Sequence, residues 1–559
     1  MRAAVGFAAL GLLLAACAGG TAGATQRTTP ATGSATGSTL TTPPGGTTPP
    51  ASRTTSSPPA TSGAAAWGPS AAELAKARSD VERLSTRRLA GQLVVARYRG
   101  RSGTSAAAAV ARLHLGGVIV FEQNVPADVV GGLRASAAAV QQVVAADGRD
   151  WPAIIAVDQE GGPVARVGAP ATAFTGAMAL GAAADATLPE RLGEASGAEL
   201  RALGFTMVFA PDADVTMGPG DPTIGVRSPG SRPTVAARVA TSLVAGYRRA
   251  GIVPVAKHFP GHGSVTANSH VTLPVQRASL STLRARDFVP FSALVDAGAP
   301  AIMVTHIDVR AADPGVPSSL SRTVVTGLLR DQLGFEGLVV TDALDMAAVT
   351  QHDGSAQAAV KAVQAGDDVL LMPADPAAAI DGLVAAVAQG TLTRERLEQS
   401  AAKVVALMRD VAAHPMPPAA TVGSHASLAR AVASSSITVV SGPCSGRLVG
   451  PSVQVVGGTS AARAGLLAAA RRAGLRTGSG TVVRLLPNGS SHGSGDVVVA
   501  FDTPYGLARS EASIARIAVY GRTGAVFSSV VAVLTGAAAA PGRLPVAVGS
   551  YPIGTGCPR

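Results

Sequence analysis

Residues 252–270, reading I-V-P-V-A-K-H-F-P-G-H-G-S-V-T-A-N-S-H, pass from a continuous apolar run into a polar loop rich in glycine and histidine. An uninterrupted apolar run predicts a strand buried on both faces, the kind found in parallel sheets. The loop gathers His258, His262 and His270, three of the chain's nine histidines, around Lys257, one of only four lysines. Polar residues crowded where a buried strand opens into a loop are expected at the catalytic mouth of a β/α barrel.

Working outward, the same signature recurs at 92–96, 117–121, 153–157, 206–209, 301–304, 337–340 and 369–372, with alanine-rich helical stretches between. Together with 252–256 these make eight strand–helix units, which predicts an α/β chain built on a (β/α)8 barrel of TIM type over 69–415. Asp158, Asp212, Lys257 with His258, His306 and Asp342 each follow one of these runs, so they are predicted to ring one mouth. Beyond the proline-rich stretch 415–418 the strand-like runs are 437–440, 497–501, 517–519 and 530–534, alternating with helical stretches such as 461–473. This predicts a smaller, sandwich-like α/β domain over 416–559.

At the other end, Arg2 precedes an apolar run over 3–16 that is too short for a membrane-spanning mature helix and closes on Leu14-Ala15-Ala16-Cys17. Residues 1–16 read as an export signal with a lipoprotein box, and Cys17 as the lipid-modified first residue; an ordinary signal peptide with a chance cysteine is the alternative. Residues 17–68 are Thr, Ser, Pro, Gly and Ala with almost no charge and no periodicity, a disordered tether by composition. The expected location is the outer face of the cell membrane, with the N-terminal lipid as the only membrane contact. In that oxidising setting the two remaining cysteines, Cys444 and Cys557, are expected to form a disulfide, two free thiols being the alternative. A net charge of +11 permits nucleic-acid binding, but no basic run is interleaved with aromatics and aromatics are 3% of the chain. Nucleic acid is therefore not an expected partner, and the charge reads as a solvated surface with mild attraction to anionic wall polymers or lipid head groups.

Breaking an acetal bond through a covalent intermediate needs a carboxylate nucleophile and a proton donor for the leaving oxygen. Asp342, ending the seventh run, is the nucleophile candidate; Asp345, one helical turn further on, reads as a first-turn capping acid. His270 lies on the loop after the fifth run, with Gly261 and Gly263 read as hinges that let it close over the mouth. His262 reads as a residue that holds the loop, and Lys257 with His258 has a purely structural polar network as its alternative. Glu160 and Asp214 either line the mouth or support it, and Asp367 and Asp368 read as helix-end or loop acids. No H-E-x-x-H or Cys/His spacing occurs and no phosphate-binding glycine motif is complete, so neither metal nor organic cofactor is expected.

Four motifs occur in order: Asp158-Gln159-Glu160-Gly161-Gly162-Pro163-Val164-Ala165-Arg166, Lys257-His258-Phe259-Pro260-Gly261-His262-Gly263, Asn268-Ser269-His270, and Thr341-Asp342-Ala343-Leu344-Asp345-Met346. Over 71–408 the chain resembles glycoside hydrolase family 3, and within it the β-N-acetylhexosaminidase branch. Ala540-Pro541-Gly542-Arg543-Leu544-Pro545 is similar to a second domain that many members carry. The resemblance implies Asp342 as nucleophile, His270 as general acid/base, and Asp158, Arg166, Arg227, Lys257 and His258 as binders of the terminal sugar. It further implies removal of terminal β-linked N-acetylglucosamine with retention, in a wall-facing setting from peptidoglycan fragments that join this sugar to N-acetylmuramic acid. The family pairs its catalytic histidine with an aspartate two residues earlier, where this chain has Asn268. An amide oxygen orients the imidazole but brings no charge to stabilise the imidazolium, so slow turnover is expected. Asn268 also sustains a rival reading, a sugar-binding lipoprotein without hydrolysis; a β-glucosidase or xylosidase is a second rival, disfavoured by the histidine loop.

Overall fold

The structure is a computed structural model that describes residues 67–183 and 185–558; the export signal, Cys17 and the tether up to residue 66 lie outside the described residues. Eight short strands carry the expected runs: β1 Val94–Arg97, β2 Gly117–Val120, β3 Ile154–Val157, β4 Met207–Val208, β5 Val253–Phe259, β6 Ala301–Val304, β7 Leu338–Thr341 and β8 Leu370–Leu371. They pair in parallel in chain order from β1 to β7, and β8 pairs with β1. A parallel bridge between Val340 and Val369 joins β7 to the start of β8 and closes the barrel. The α/β barrel expected from the eight runs is therefore the observed fold.

Most strand boundaries differ from expectation by one to three residues, and two of the differences change where a named residue lies. Gln92 closes the helix Thr86–Gln92 instead of opening β1, because the apolar run crosses the helix–strand junction without a polar break. Strand β5 continues to Phe259, so Lys257 and His258 are strand residues and not loop residues. The barrel's last helix, Arg394–Ala413, ends just before the proline-rich stretch. Trp67, inside the stretch read as tether, is 5% exposed and already belongs to the barrel's hydrophobic cluster.

The C-terminal region forms a six-stranded sheet from β9 Thr438–Ser441, β10 Ser452–Gly457, β11 Arg476–Thr477, β12 Thr481–Leu486, β13 Ser494–Phe501 and β14 Glu511–Val519. Its order is β9-β14-β13-β12-β10-β11, with β9 antiparallel and the rest parallel. Along β13, Val498 and Ala500 pack into the cluster shared with the barrel, whereas Val497, Val499 and Phe501 pack into a second cluster with the helices Ser460–Arg472 and Gly524–Leu534. Period-two alternation between two buried faces explains why the run is apolar throughout. The stretch 530–534 was expected as a strand and is the end of the helix Gly524–Leu534, capped by Thr523. A short apolar run that is buried all round carries no periodicity to tell helix from strand. Cys444 and Cys557 form the expected disulfide, 113 residues apart in sequence.

Candidate active site

The C-terminal ends of the barrel strands enclose a cavity of about 370 Å³. Asp158, Arg166, Arg227, Lys257, His258, His270 and Asp342 all line it, so seven residues singled out in the sequence converge from four separate strand–loop units. Asp342 follows β7 directly, and its main-chain N–H donates to Val304 O at 2.8 Å. Its carboxylate accepts the Ala343 N–H at 2.8 Å and the Thr305 hydroxyl at 3.0 Å. Burial alone raises its pKa, but the imidazoles of His306 and His258, the Ala343 N–H and Lys257 outweigh burial and hold it well below the usual carboxylate range. Asp342 thus presents an ionised carboxylate to a small-molecule cavity.

His270 sits on the exposed rim. The Asn268 side-chain oxygen accepts its main-chain N–H at 2.9 Å and its ring Nδ1–H at 3.0 Å. That bond places the hydrogen on Nδ1 and leaves Nε2 as the atom that exchanges protons. The loop beneath is fixed by His262, whose Nε2 meets Ser269 Oγ at 3.0 Å, and by Asp214, which accepts the His262 main-chain N–H at 2.5 Å. His262 therefore holds the loop, as its sequence position suggested. Burial first, then the neighbouring His258, pushes its pKa down to about 4.

The two loop glycines act differently from the hinges expected of them. Gly261 has φ +125°, and a Cβ there would lie 2.6 Å from the Asp287 Cβ; a Cβ on Gly263 would lie 2.6 Å from Val215 O. Both are points of close backbone approach in a packed loop, and only Gly261 needs a conformation that L side chains avoid.

On the cavity floor the charges interlock. Lys257 Nζ donates to Asp158 Oδ1 and lies against Glu160 Oε1, both at 2.7 Å. Arg227 grips Glu160 with two parallel bonds of 2.8 and 2.9 Å and donates to His258 Nε2 at 3.2 Å. A guanidinium can only donate, so His258 Nε2 accepts and its Nδ1–H faces Asp214 Oδ2 at 2.6 Å. Burial works against ionisation of Glu160, yet Arg227 and Lys257 bring its pKa well below normal. Asp212 differs: burial and then the adjacent Asp214 carboxylate raise it well above the ordinary value. Arg166 flanks this floor, its guanidinium 5.5 Å over the Phe121 ring. Glu160 itself lines the cavity while Asp214 supports groups that face it, and both roles emerge only from partners far apart in sequence.

Several strand-end residues lie elsewhere than predicted. Asp212 and His306 do not line the cavity. His306 is fully buried; its Nε2–H donates to Ala343 O at 3.0 Å and its Nδ1 accepts the Ser319 hydroxyl at 2.6 Å, a brace behind Asp342. Asp345 is not a helix cap: the next helix, Ala347–Thr350, has Met346 at its N-cap, while Asp345 lines the cavity and meets Arg97 Nη1 at 2.8 Å. Asp367 and Asp368 are buried; Asp368 joins Arg330, Arg396 and Ser400 under the barrel. The oxygens and ring nitrogen of Asp212, Asp214 and His258 lie within 4.8 Å of one another, a grouping that a metal ion could occupy. Asp214 is already engaged by His258 and the His262 N–H, and the Arg227 guanidinium approaches Asp212 at 3.5 Å. A fixed cation there competes with an ion for the same carboxylates.

The glycosyl hydrolase family 3 N-terminal domain pattern matches residues 85–407. The chain is 36% identical over 286 residues to β-hexosaminidase A of Pseudoalteromonas piscicida, covering 47% of this chain and 46% of that protein. It is 34% identical over 337 residues to β-hexosaminidase LpqI of Mycobacterium tuberculosis, covering 58% of this chain and 83% of that one. The solved glycoside hydrolase family 3 β-N-acetylglucosaminidase from Paenibacillus sp. str. FPU-7 superposes with a TM-score of 0.75 at 28% identity, covering 83% of this chain and 99% of its own. With its cavity built from the four motifs in order and more than half of its length matched, the chain belongs to glycosyl hydrolase family 3, in its β-hexosaminidase branch.

Proposed function

We propose that the protein is a retaining exo-β-N-acetylglucosaminidase, with Asp342 as nucleophile and His270 as general acid/base. The observation that carries this reading is the meeting of an ionised Asp342 and an Asn268-oriented His270 in one cavity over a floor of interlocked charges. The Asp342 carboxylate attacks the anomeric carbon as the aglycone oxygen takes the proton from His270 Nε2 and departs. His270 then removes a proton from water, which displaces Asp342 and releases the sugar with its configuration retained. Asp158, Lys257, His258, Arg166 and Arg227 bind the terminal sugar, held in fixed geometry by Glu160 and Asp214. The similarity to β-hexosaminidases supports a substrate containing N-acetylglucosamine. Peptidoglycan fragments are the proposed natural source, and Cys17 the proposed lipid anchor holding the enzyme outside the membrane.

A chromogenic aryl β-N-acetylglucosaminide tests the reading. Turnover that falls at least about 10³-fold in Asp342→Asn is expected; faster cleavage of the matching glucoside, or turnover that survives the substitution, overturns it. The neutral Asn268 beside His270 favours one other reading, a barrel that binds the sugar without cleaving it. Saturable binding of the aryl glycoside with no release of the aryl group establishes that alternative.

A further inference from the structure

Arg322, Arg330, Arg396 and Lys403 converge on a cavity of about 600 Å³ at the end of the barrel opposite the mouth. It opens between the helices Thr323–Gln332, Ser355–Ala365 and Arg394–Ala413, and it shares no lining residue with the cavity that holds Asp342. Arg330 fixes its place in the fold. That side chain donates to the Phe335 and Gly337 carbonyls ahead of β7, both at 3.2 Å, and to Gly366 O ahead of β8 at 2.9 Å.

Asp368 is the one acid among the lining residues, and its charge is already shared. Arg330 Nη2 donates to it at 2.6 Å and Arg396 Nη1 at 3.2 Å, while Lys403 Nζ stands 3.6 Å away. The adjacent Asp367 adds no compensation, because burial and then the Asp368 carboxylate raise its pKa well above the ordinary value and keep it neutral. Four cations therefore face a single negative charge. Burial, with Arg330 and Arg396 alongside, pushes the Lys403 pKa down to about 8 although Asp368 opposes the shift.

Two of the four cations have donor capacity to spare. Arg322 is exposed, forms no ion pair among the described residues, and reaches Gln364 O only at 3.5 Å. Arg396 commits Nη1 to Asp368 and Ser400 and Nη2 to Asp367 O, which leaves Nε without a partner among the described residues. The backbone adds to the same field. Thr393, which lines the cavity, is the N-cap of the 20-residue helix Arg394–Ala413, so the positive end of that helix lies at the cavity edge. Arg396 stands in its first turn, where the dipole disfavours a cation, and Glu395, the acid of that turn, is held by Arg78 at 2.9 Å.

We propose that this cavity binds a phosphate group carried by a small soluble molecule. Arg322 and the open edge of Arg396 supply planar donors, Lys403 a compact charge and the helix N-terminus its dipole, a set that suits an oxyanion of more than one negative charge better than a lone carboxylate. The site is independent of the glycosidase chemistry and stands or falls apart from it.

Pyrophosphate and inorganic phosphate are the probes, titrated into the purified protein by calorimetry and by thermal melting, with sodium chloride of equal ionic strength as the control. Saturable binding of pyrophosphate is expected, together with a melting temperature that climbs with its concentration and an affinity that weakens as salt is added. Arg322→Gln is expected to weaken binding by about tenfold or more, and Gln399→Glu, which sets a carboxylate on the cavity wall, to weaken it as well. Both positions are exposed, so both variants should melt with wild type when no probe is present. Arg322→Lys keeps the charge without the fork and should retain part of the affinity. Several results overturn the site: no saturable binding by the wild type, an equal melting shift with chloride, or affinity unchanged in both Arg322→Gln and Gln399→Glu. Pyrophosphate that acts as a competitive inhibitor against the aryl glycoside, with those two variants unaffected, places the anion at the mouth and overturns it too.

Discussion

The Asn268 oxygen accepts two hydrogens from the same residue, the main-chain and ring N–H groups of His270, so it orients the ring fully without charging it. An aspartate in its place keeps both bonds and adds a negative charge that stabilises the imidazolium, the form that delivers a proton to the leaving group in the proposed mechanism. Asn268→Asp is therefore expected to raise turnover by about tenfold or more and to move the alkaline limb of the kcat/KM profile upward. A rate and profile identical to wild type indicate that orientation is all the acid/base needs. Arg227 is the complementary case, because it alone gives Glu160 two bonds and also touches His258. Arg227→Met leaves Glu160 with only Lys257 and is expected to lower stability by about 3 kcal/mol or more and to raise KM, measurable by thermal melting and initial rates. At this scale Asp342 and Lys257 were legible in the sequence, since each falls at or just after a strand that its own apolar run announces, whereas His270 and Arg227 lie on loops well past their strands and were reached through the family resemblance. Asp345 was read as a helix cap, and Arg97 was not singled out, because the two meet across the mouth 248 positions apart in the chain.

The loop carrying His270 rests on two buried groups whose titrations pull in opposite directions. Asp287 packs under Gly261, and burial raises its pKa to about 6 despite Arg286 at 2.8 Å. A carboxyl with a raised folded value stabilises the fold when protonated, so its contribution is complete below the ordinary 3.8 and is lost as pH rises through about 6. His262, lowered to about 4, favours the fold when neutral, so its contribution is present above 6.5 and lost as pH falls through about 4. Over the shared window the two slopes offset each other. Asp287→Asn removes one of them: the variant is expected to match wild type near pH 4 and to exceed it by up to roughly 3 kcal/mol above pH 6. Melting at pH 4, 5, 6 and 7 reads this directly, and a gain that is uniform across pH rules it out. Such coupling is invisible in sequence, where Asp287 is simply the residue before an apolar helix. The elements themselves were easier to read: all eight barrel runs proved to be strands, because continuous β-branched runs of that length suit a sheet covered on both faces. The same rule misplaced 530–534, where the deciding signal was the Thr523 cap upstream and not the run itself.

The described residues form one compact unit, and the C-terminal segment is part of what ties its two layers together. Arg543 N–H donates to Ala182 O at 2.9 Å, and Pro545 O accepts the Ser231 N–H at 3.1 Å, four residues after Arg227. Leu544, Val546 and Val548 sit in the hydrophobic cluster that contains the barrel strands. The Cys444–Cys557 disulfide anchors the end of this segment to the loop after β9, and it closes a loop of 113 residues. A cross-link across so long a loop removes much of the unfolded chain's freedom, so its loss is expected to cost about 2–4 kcal/mol. The segment held by Cys557 contacts the loop carrying Arg227, so loosening it disturbs the floor proposed to bind the sugar more than the distant Asp342. Cys557→Ser, or wild type under reductant, is therefore expected to melt earlier and to show a raised KM with kcat little changed. Reductant should have no further effect on the variant. An unchanged melting temperature means the segment is held by its apolar contacts alone, and a fall in kcat without a rise in KM means that the C-terminal layer acts on the chemistry by some route other than the Arg227 loop.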